Sequence, residues 1–150
     1  MNVGYREYEE RDFAVLSEMI FYLYEEDPEG EQISEEKIRR TISESAARPE
    51  KLRIIMICVD EEVIGYSIVC FIWSNEYGGD ILNIDELYIH EGYRNNRIAT
   101  DFIEYQIHTS NAIAIAAETT PSNESAARLY ERLGFEPSPN GHLIKGLTDR

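Results

Sequence analysis

The chain has 150 residues, the length of one domain with a single core. Hydrophobic residues make up 43% and charged residues 29%, a globular composition that excludes a disordered or low-complexity chain. Asp and Glu total 29 against 14 Lys and Arg, and the resulting formal charge of −15 repels a polyphosphate backbone and argues against a nucleic-acid partner.

In chain order, Val3 to Tyr8 is expected as a short first strand. From Asp12 the apolar residues Phe13, Leu16, Ile20 and Leu23 fall on one helical face. Glu25 to Glu36 is acidic and broken by Pro28 and Gly30, and Ser34 then stands where a cap would start a second helix through Ile38, Ile42 and Ala46. Leu52 to Val59 and Val63 to Trp73, on either side of the polar turn Asp60 to Glu62, read as a β-hairpin. A turn at Asn75 to Asp80, with Gly78 and Gly79, leads into Ile81 to Ile89, so three antiparallel strands follow in succession. The second half alternates: a helix over Ile98 to His108, a strand over Ala112 to Ala117 and a helix over Asn123 to Leu133, which implies a parallel crossover. Gly134 suits the left-handed residue that ends a helix, Phe135 can fold back on the last turn, and His142 to Leu147 is a candidate final strand. No repeat or linker divides the chain, so one domain over 1–150 is expected.

The longest apolar-leaning stretch, Gly65 to Trp73, falls far short of the roughly 20 residues that span a bilayer. Met1 to Tyr8 lacks the basic-then-apolar order of a secretory signal, so a cytoplasmic protein with no membrane association is expected. Cys58 and Cys70 have no CxxC spacing and sit amid apolar residues, the pattern of reduced core thiols. His90, His108 and His142 share no ligand spacing, so no metal site is expected.

The chemistry gathers in two stretches. Ile84-Asp85-Glu86-Leu87-Tyr88-Ile89 continues through His90-Glu91-Gly92-Tyr93 into Arg94-Asn95-Asn96-Arg97-Ile98-Ala99-Thr100, a strand and polar loop opening a helix. Free amides at a helix N-terminus bind phosphate without a basic protein overall, and Arg94 and Arg97 add local positive charge. The second stretch is Asn123-Glu124-Ser125-Ala126-Ala127-Arg128-Leu129-Tyr130-Glu131-Arg132-Leu133-Gly134-Phe135. Read alone, Ala126, Leu129, Tyr130 and Leu133 are only a core stripe at helical spacing, and Asn123 only a helix cap.

Together the two stretches resemble the GNAT superfamily of N-acetyltransferases, whose signature is Arg or Gln, two residues, Gly, one residue, Gly or Ala, followed later by Asn-x-x-Ala-x-x-Leu-Tyr-x-x-Leu-Gly-Phe. The second motif matches at every position, and the likeness in element order covers almost the whole chain. The resemblance implies an α/β (α+β) fold, with a mixed, mostly antiparallel sheet of six to seven strands splayed between the fourth and fifth and flanked by about four helices. It implies acetyl-CoA as cosubstrate and no metal. The pyrophosphate would be held by Arg94, Asn95, Asn96, Arg97, Ile98, Ala99 and Thr100, and the pantetheine by the backbone of Leu87, Tyr88 and Ile89, with Asn123 beside it. One departure stands out: Arg97 occupies the place of the first glycine, while Ala99 satisfies the second. Pointing outward, its guanidinium can pair with a CoA phosphate; pointing inward, it blocks close approach.

Tyr130 matches the family tyrosine that protonates the departing thiolate, work that a phenol near pKa 10 can do. The amine nucleophile must first lose a proton, since an alkylamine of pKa about 10.4 is almost wholly ammonium at neutral pH. Asp85 and Glu86 lie beside the expected thioester, and alternation sends them to opposite faces unless a bulge intervenes. Family members often place an acid or histidine at the position of Asp85, with a polar group two residues earlier, here Asn83. Asp85 is the favoured base, with Glu86 next because a bulge would exchange their directions; as strand-edge charges both would be merely solvated.

The expected activity is therefore acetyl-CoA-dependent N-acetylation of a primary amine by direct transfer in a ternary complex. The acceptor would be a small polyamine, an aminoglycoside-like molecule or a peptide amine, and the acidic Glu25 to Glu36 stretch falls where relatives build a wall of the acceptor site. A non-catalytic acyl-CoA-binding or regulatory module of the same fold is the alternative that Arg97 keeps open, and a protein-interaction domain without CoA is a third. Members of the family often pair as homodimers, although the residues themselves do not bear on self-association.

Overall fold

The computed structural model of the chain describes residues 1–147. In chain order it contains β1 (Val3–Glu7), α1 (Phe13–Glu26), α2 (Glu35–Ala47), β2 (Leu52–Val59), β3 (Glu62–Ser74), β4 (Gly79–Ile89), α3 (Ile98–Thr109), β5 (Ala114–Ala117) and α4 (Glu124–Arg132). The five strands form one sheet in sequence order. The first four are mutually antiparallel, and β5 is parallel to β4. The fold class is that of the mixed, mostly antiparallel sheet with four helices expected from the sequence.

Local chemistry explains these elements. All of β2 except Arg53 is buried, which suits a central strand that packs on both faces. The β2–β3 hairpin turns at Asp60 and Glu61, with φ of 49° and 71°, the left-handed pair that a two-residue turn requires. Ser34 caps α2 by accepting from the Lys37 amide at 3.2 Å. At the start of α1, Asp12 is buried and chelated by Arg6 through bonds of 2.7 and 2.9 Å, which holds its carboxyl below the usual range and fixes where the helix begins.

The sheet separates two cores. On one face α1 and α2 lay Leu16, Met19, Ile20 and Ile38 against Met56, Tyr66, Ile68 and Tyr88. On the other, Ile98, Phe102 and Ile103 of α3 pack on Ile57, Val69, Leu82 and Ile84, with Leu129, Tyr130 and Leu133 of α4 at the margin. Cys58 and Cys70 are free thiols, and burial pushes both pKa values up. No helix among the described residues is long and apolar enough to cross a membrane.

The strand expected over His142 to Leu147 is absent, so among the described residues the sheet has five strands where six to seven were expected. Leu143 and Ile144 are fully exposed. The connection leading to them carries Pro137 and Pro139, which have no N–H to donate, and this disfavours entry into a ladder.

Candidate functional site

The sheet opens between β4 and β5. Their pairing starts at Ile81 with Ala114 and ends at Ile84 with Ala117, after which β4 runs on to Ile89 with no strand paired on that side among the described residues. On its other side β4 remains paired with β3 as far as Ile89 with Gly65. The His90 amide donates to the Ile64 carbonyl at 2.7 Å, and Ser67 Oγ donates to the Glu86 carbonyl at 2.8 Å. In an antiparallel ladder successive residues face opposite neighbours, so Glu86 and Tyr88 turn their backbone toward β3 while Leu87 and Ile89 turn theirs into the gap. The Ile89 carbonyl accepts from Arg94 Nε at 2.8 Å. Of the three strand residues expected to pair with pantetheine, Leu87 and Ile89 therefore face the gap, and the Tyr88 ring stacks on Tyr66 in the first core.

At the apex of the gap β4 is bulged. Ile68 pairs with Glu86 and Val69 with Ile84, leaving Asp85 as the extra residue. The bulge undoes simple alternation: Ile84 packs into the α3 core, whereas Glu86 points toward α1. There the Glu86 carboxylate accepts from Tyr24 at 2.6 Å on one oxygen and from Tyr66 at 2.7 Å on the other. Burial raises the Glu86 pKa, and the two phenol donors oppose that rise. Asp85 is exposed one residue beyond the last paired rung, as Glu118 is on the β5 side. Its carboxyl is held above the ordinary range, first by partial loss of water and then by the Glu118 charge.

The turn into α3 takes a glycine-like course at two non-glycine residues. Asn95 and Arg97 both adopt left-handed conformations, φ 66° and 62°, and Arg97 is the N-cap of α3. Its side chain is 71% exposed and 3.8 Å from Asp101, so it points outward and leaves the helix start open. No side chain caps this turn, and the first helical bond is Asp101 N–H to the Arg97 carbonyl at 2.8 Å, which leaves the Ile98, Ala99 and Thr100 amides ahead of it to a ligand or water. This cradle fits a phosphate. A non-glycine residue in the left-handed region costs on the order of 1 kcal/mol. Arg97→Gly should accordingly raise the unfolding free energy by about 1 kcal/mol, read as a higher urea midpoint at unchanged slope, and a lowered midpoint would show that the loop carries no such strain.

Arg94 is differently employed from the free phosphate ligand expected. Its Nη2 reaches both oxygens of Glu26 at 2.8 and 3.0 Å, and its guanidinium lies 5.3 Å from the Tyr88 ring centre. Downstream, Asp27 accepts from Thr120 at 2.9 and 3.1 Å, and Glu29 accepts from Ser122 at 3.2 Å. The acidic stretch that begins at the end of α1 thus bridges the loop after β4 and the loop before α4, across the open end of the gap.

Asn123 caps α4 by accepting from the Ala126 amide at 3.1 Å. Tyr130 sits on the α3 side of the sheet with its ring 5.1 Å from Phe135, and burial alone pushes its phenol up to about 12. Glu86 and Tyr130 therefore lie on opposite faces of the sheet. Surface hollows of about 650 and 270 Å³ run along α2 and beside Tyr8, and neither includes a residue of this site. Sequence reasoning missed Tyr24, Tyr66 and Glu118; the two tyrosines sat within apolar stripes, where a hydroxyl at the tip was the only signal.

The acetyltransferase (GNAT) family model matches residues 11–135. No curated protein matches the chain in sequence. Among solved structures, one described as a possible acetyltransferase from Clostridium difficile 630 is 18% identical with a TM-score of 0.81, over 98% of this chain and 99% of that one. A predicted acetyltransferase with acetyl-CoA from Clostridium acetobutylicum is 17% identical with a TM-score of 0.77, over 99% of each chain. A transcriptional regulator from Bacillus halodurans C-125 is 21% identical with a TM-score of 0.75, over 97% of this chain and 100% of that one. At such identities the likeness is one of fold.

Proposed function

The chain belongs to the acetyltransferase (GNAT) family, and from that membership we propose that it is an N-acetyltransferase that moves the acetyl group of acetyl-CoA to a cationic primary amine by direct transfer in a ternary complex. The observation that carries this reading is the gap beside β4, with the bulged Asp85 at its apex and Tyr130 on the α3 side.

Acetyl-CoA supplies an activated thioester. The open α3 amides hold its phosphates, and the Leu87 carbonyl and the Ile89 N–H pair with its pantetheine amides. Asp85 takes one proton from the bound ammonium; its pKa, raised by burial and by the Glu118 charge, makes it a stronger base than an ordinary carboxylate. Glu86 is the weaker candidate for that step, because both its oxygens already carry phenol donors. The amine nitrogen then bonds to the carbonyl carbon, and the Leu87 N–H donates to the oxygen where negative charge develops, a fixed donor worth a few kcal/mol. As the C–S bond breaks, Tyr130 gives its proton to the sulfur and is restored by the second proton leaving nitrogen. The products are the amide, CoA thiol and one released proton.

The test is thiol release from acetyl-CoA against spermidine, an aminoglycoside and a peptide amine, in wild type and Tyr130→Phe. Release with at least one amine, a kcat lowered on the order of 10²-fold in the variant and unchanged acetyl-CoA affinity are expected. Equal kcat in the two proteins would remove Tyr130 as the acid. Because burial holds Tyr130 protonated up to about 12, no alkaline fall in kcat below that pH is expected from it.

A further inference from the structure

We propose that Tyr24 and Tyr66 act as a two-phenol clamp that fixes the Glu86 carboxylate on the α1 side of the bulged strand, and that Glu86 so held selects and orients a cationic acceptor. The inference rests on the acetyltransferase reading and names the determinant of its acceptor class.

Three observations carry it. First, the clamp is built from two distant elements, Tyr24 on α1 and Tyr66 on β3, which lie 62 and 20 residues from Glu86 in sequence. Each phenol donates to a different oxygen, so the carboxylate cannot rotate and its plane is set. Second, an ionised carboxylate offers about four acceptor positions, and the phenols take two. Protonating Glu86 would turn an acceptor into a donor and strand one phenol, so the clamp favours the anion. Third, Glu86 forms no ion pair with any Lys, Arg or His among the described residues. The groups that face it are Tyr24 from α1, Tyr66 and Cys70 from β3, and Asp85 from β4, none of them cationic.

A largely enclosed carboxylate without a counter-charge is unfavourable until a cation arrives, and a substrate ammonium is the group that can complete it. The bulge that turns Glu86 toward α1 also places Asp85 next to it. One carboxylate can then hold the charge while its neighbour takes the proton. Tyr24 lies in the last turn of α1, two residues before Glu26 and three before Asp27, so the segment that bridges the open end of the gap also carries half of the clamp. Tyr24 and Tyr66 touch Glu86 and not the reacting atoms, and are positioning residues.

The experiment is calorimetric titration of spermidine, an aminoglycoside and a tripeptide amide into wild type, Tyr24→Phe and Glu86→Gln, each saturated with CoA, alongside thiol-release kinetics with acetyl-CoA. The best-bound amine should bind about tenfold more weakly to Tyr24→Phe and more weakly still to Glu86→Gln. In turnover, the amine KM of Tyr24→Phe should rise by a similar factor with kcat within twofold and the acetyl-CoA KM unchanged. Tyr66→Phe, which keeps the buried ring, should move the same constants in the same direction. Unchanged amine affinity in both Tyr24→Phe and Glu86→Gln would overturn the clamp, as would a Tyr24→Phe defect shared equally by acetyl-CoA, or no binding of any of the three amines by wild type. Clamp-dependent binding without thiol release would leave the clamp standing and sink the acetyltransferase reading.

Discussion

Asp85→Asn should lower kcat/KM for the amine acceptor by roughly 10²–10³-fold while leaving acetyl-CoA binding within a factor of two, because a positioned general base contributes on that scale. The asparagine keeps the side-chain size and removes the charge and with it the capacity to accept a proton. The wild-type profile should rise with pH through the Asp85 pKa, which lies above the usual carboxylate value. That acidic limb should vanish in the variant. The stability consequence has the opposite sign. A carboxyl whose folded pKa is raised binds a proton more readily in the native state than in the unfolded one, so its ionisation destabilises the fold. That cost is absent below the unfolded pKa and fully developed above the folded one. Asp85→Asn, which mimics the protonated form, should therefore melt higher than wild type at neutral pH and equally at strongly acidic pH. A gain in stability coupled to a loss of turnover would mark Asp85 as a residue kept for chemistry.

Phe102→Ala should cost about 3–5 kcal/mol of unfolding free energy. Phe102 is fully buried at the centre of the α3 core, among Leu82, Ile84, Ile98 and Ile103, with the Tyr5 ring edge-on at 5.6 Å. Truncation removes an aromatic side chain and leaves a cavity under the helix whose N-terminus forms the phosphate cradle. For a domain whose whole stability is 5–15 kcal/mol, this is a large share. Urea titration is the measurement. Phe102→Leu, which fills most of the volume, should lose much less. A loss below about 1 kcal/mol for the alanine variant would mean that α3 is not anchored by this side chain.

Where local chemistry decides, the sequence was readable. The left-handed Asp60-Glu61 turn, the Ser34 cap and the left-handed Gly134 after α4 are each set by a few neighbouring residues. The setting of the loop from Arg94 to Thr100 was readable too, since it follows a strand and opens a helix as its pattern implies. What escaped depends on long-range pairing. Whether Asp85 or Glu86 faces α1 turns on the register with Ile68 and Val69 of β3, and one extra residue reverses it. Arg94 has the charge of a phosphate ligand, yet Glu26, 68 residues away, claims it. The Tyr24 and Tyr66 hydroxyls acquire meaning only when helix and strand bring both to one carboxylate. The segment His142 to Leu147 has the length and apolar content of a strand, but it stands apart from the sheet after two prolines.

The most direct test is to mix wild type and Asp85→Asn with acetyl-CoA and each of the three amine acceptors, and to follow thiol release and the mass of the amine together. In wild type, thiol should appear in step with an amine one acetyl group heavier, and both signals should fall together at least 10²-fold in Asp85→Asn. Acetyl-CoA bound tightly by both proteins, with neither releasing thiol to any of the three amines, would contradict the transfer reading and leave a CoA-binding module of the same fold.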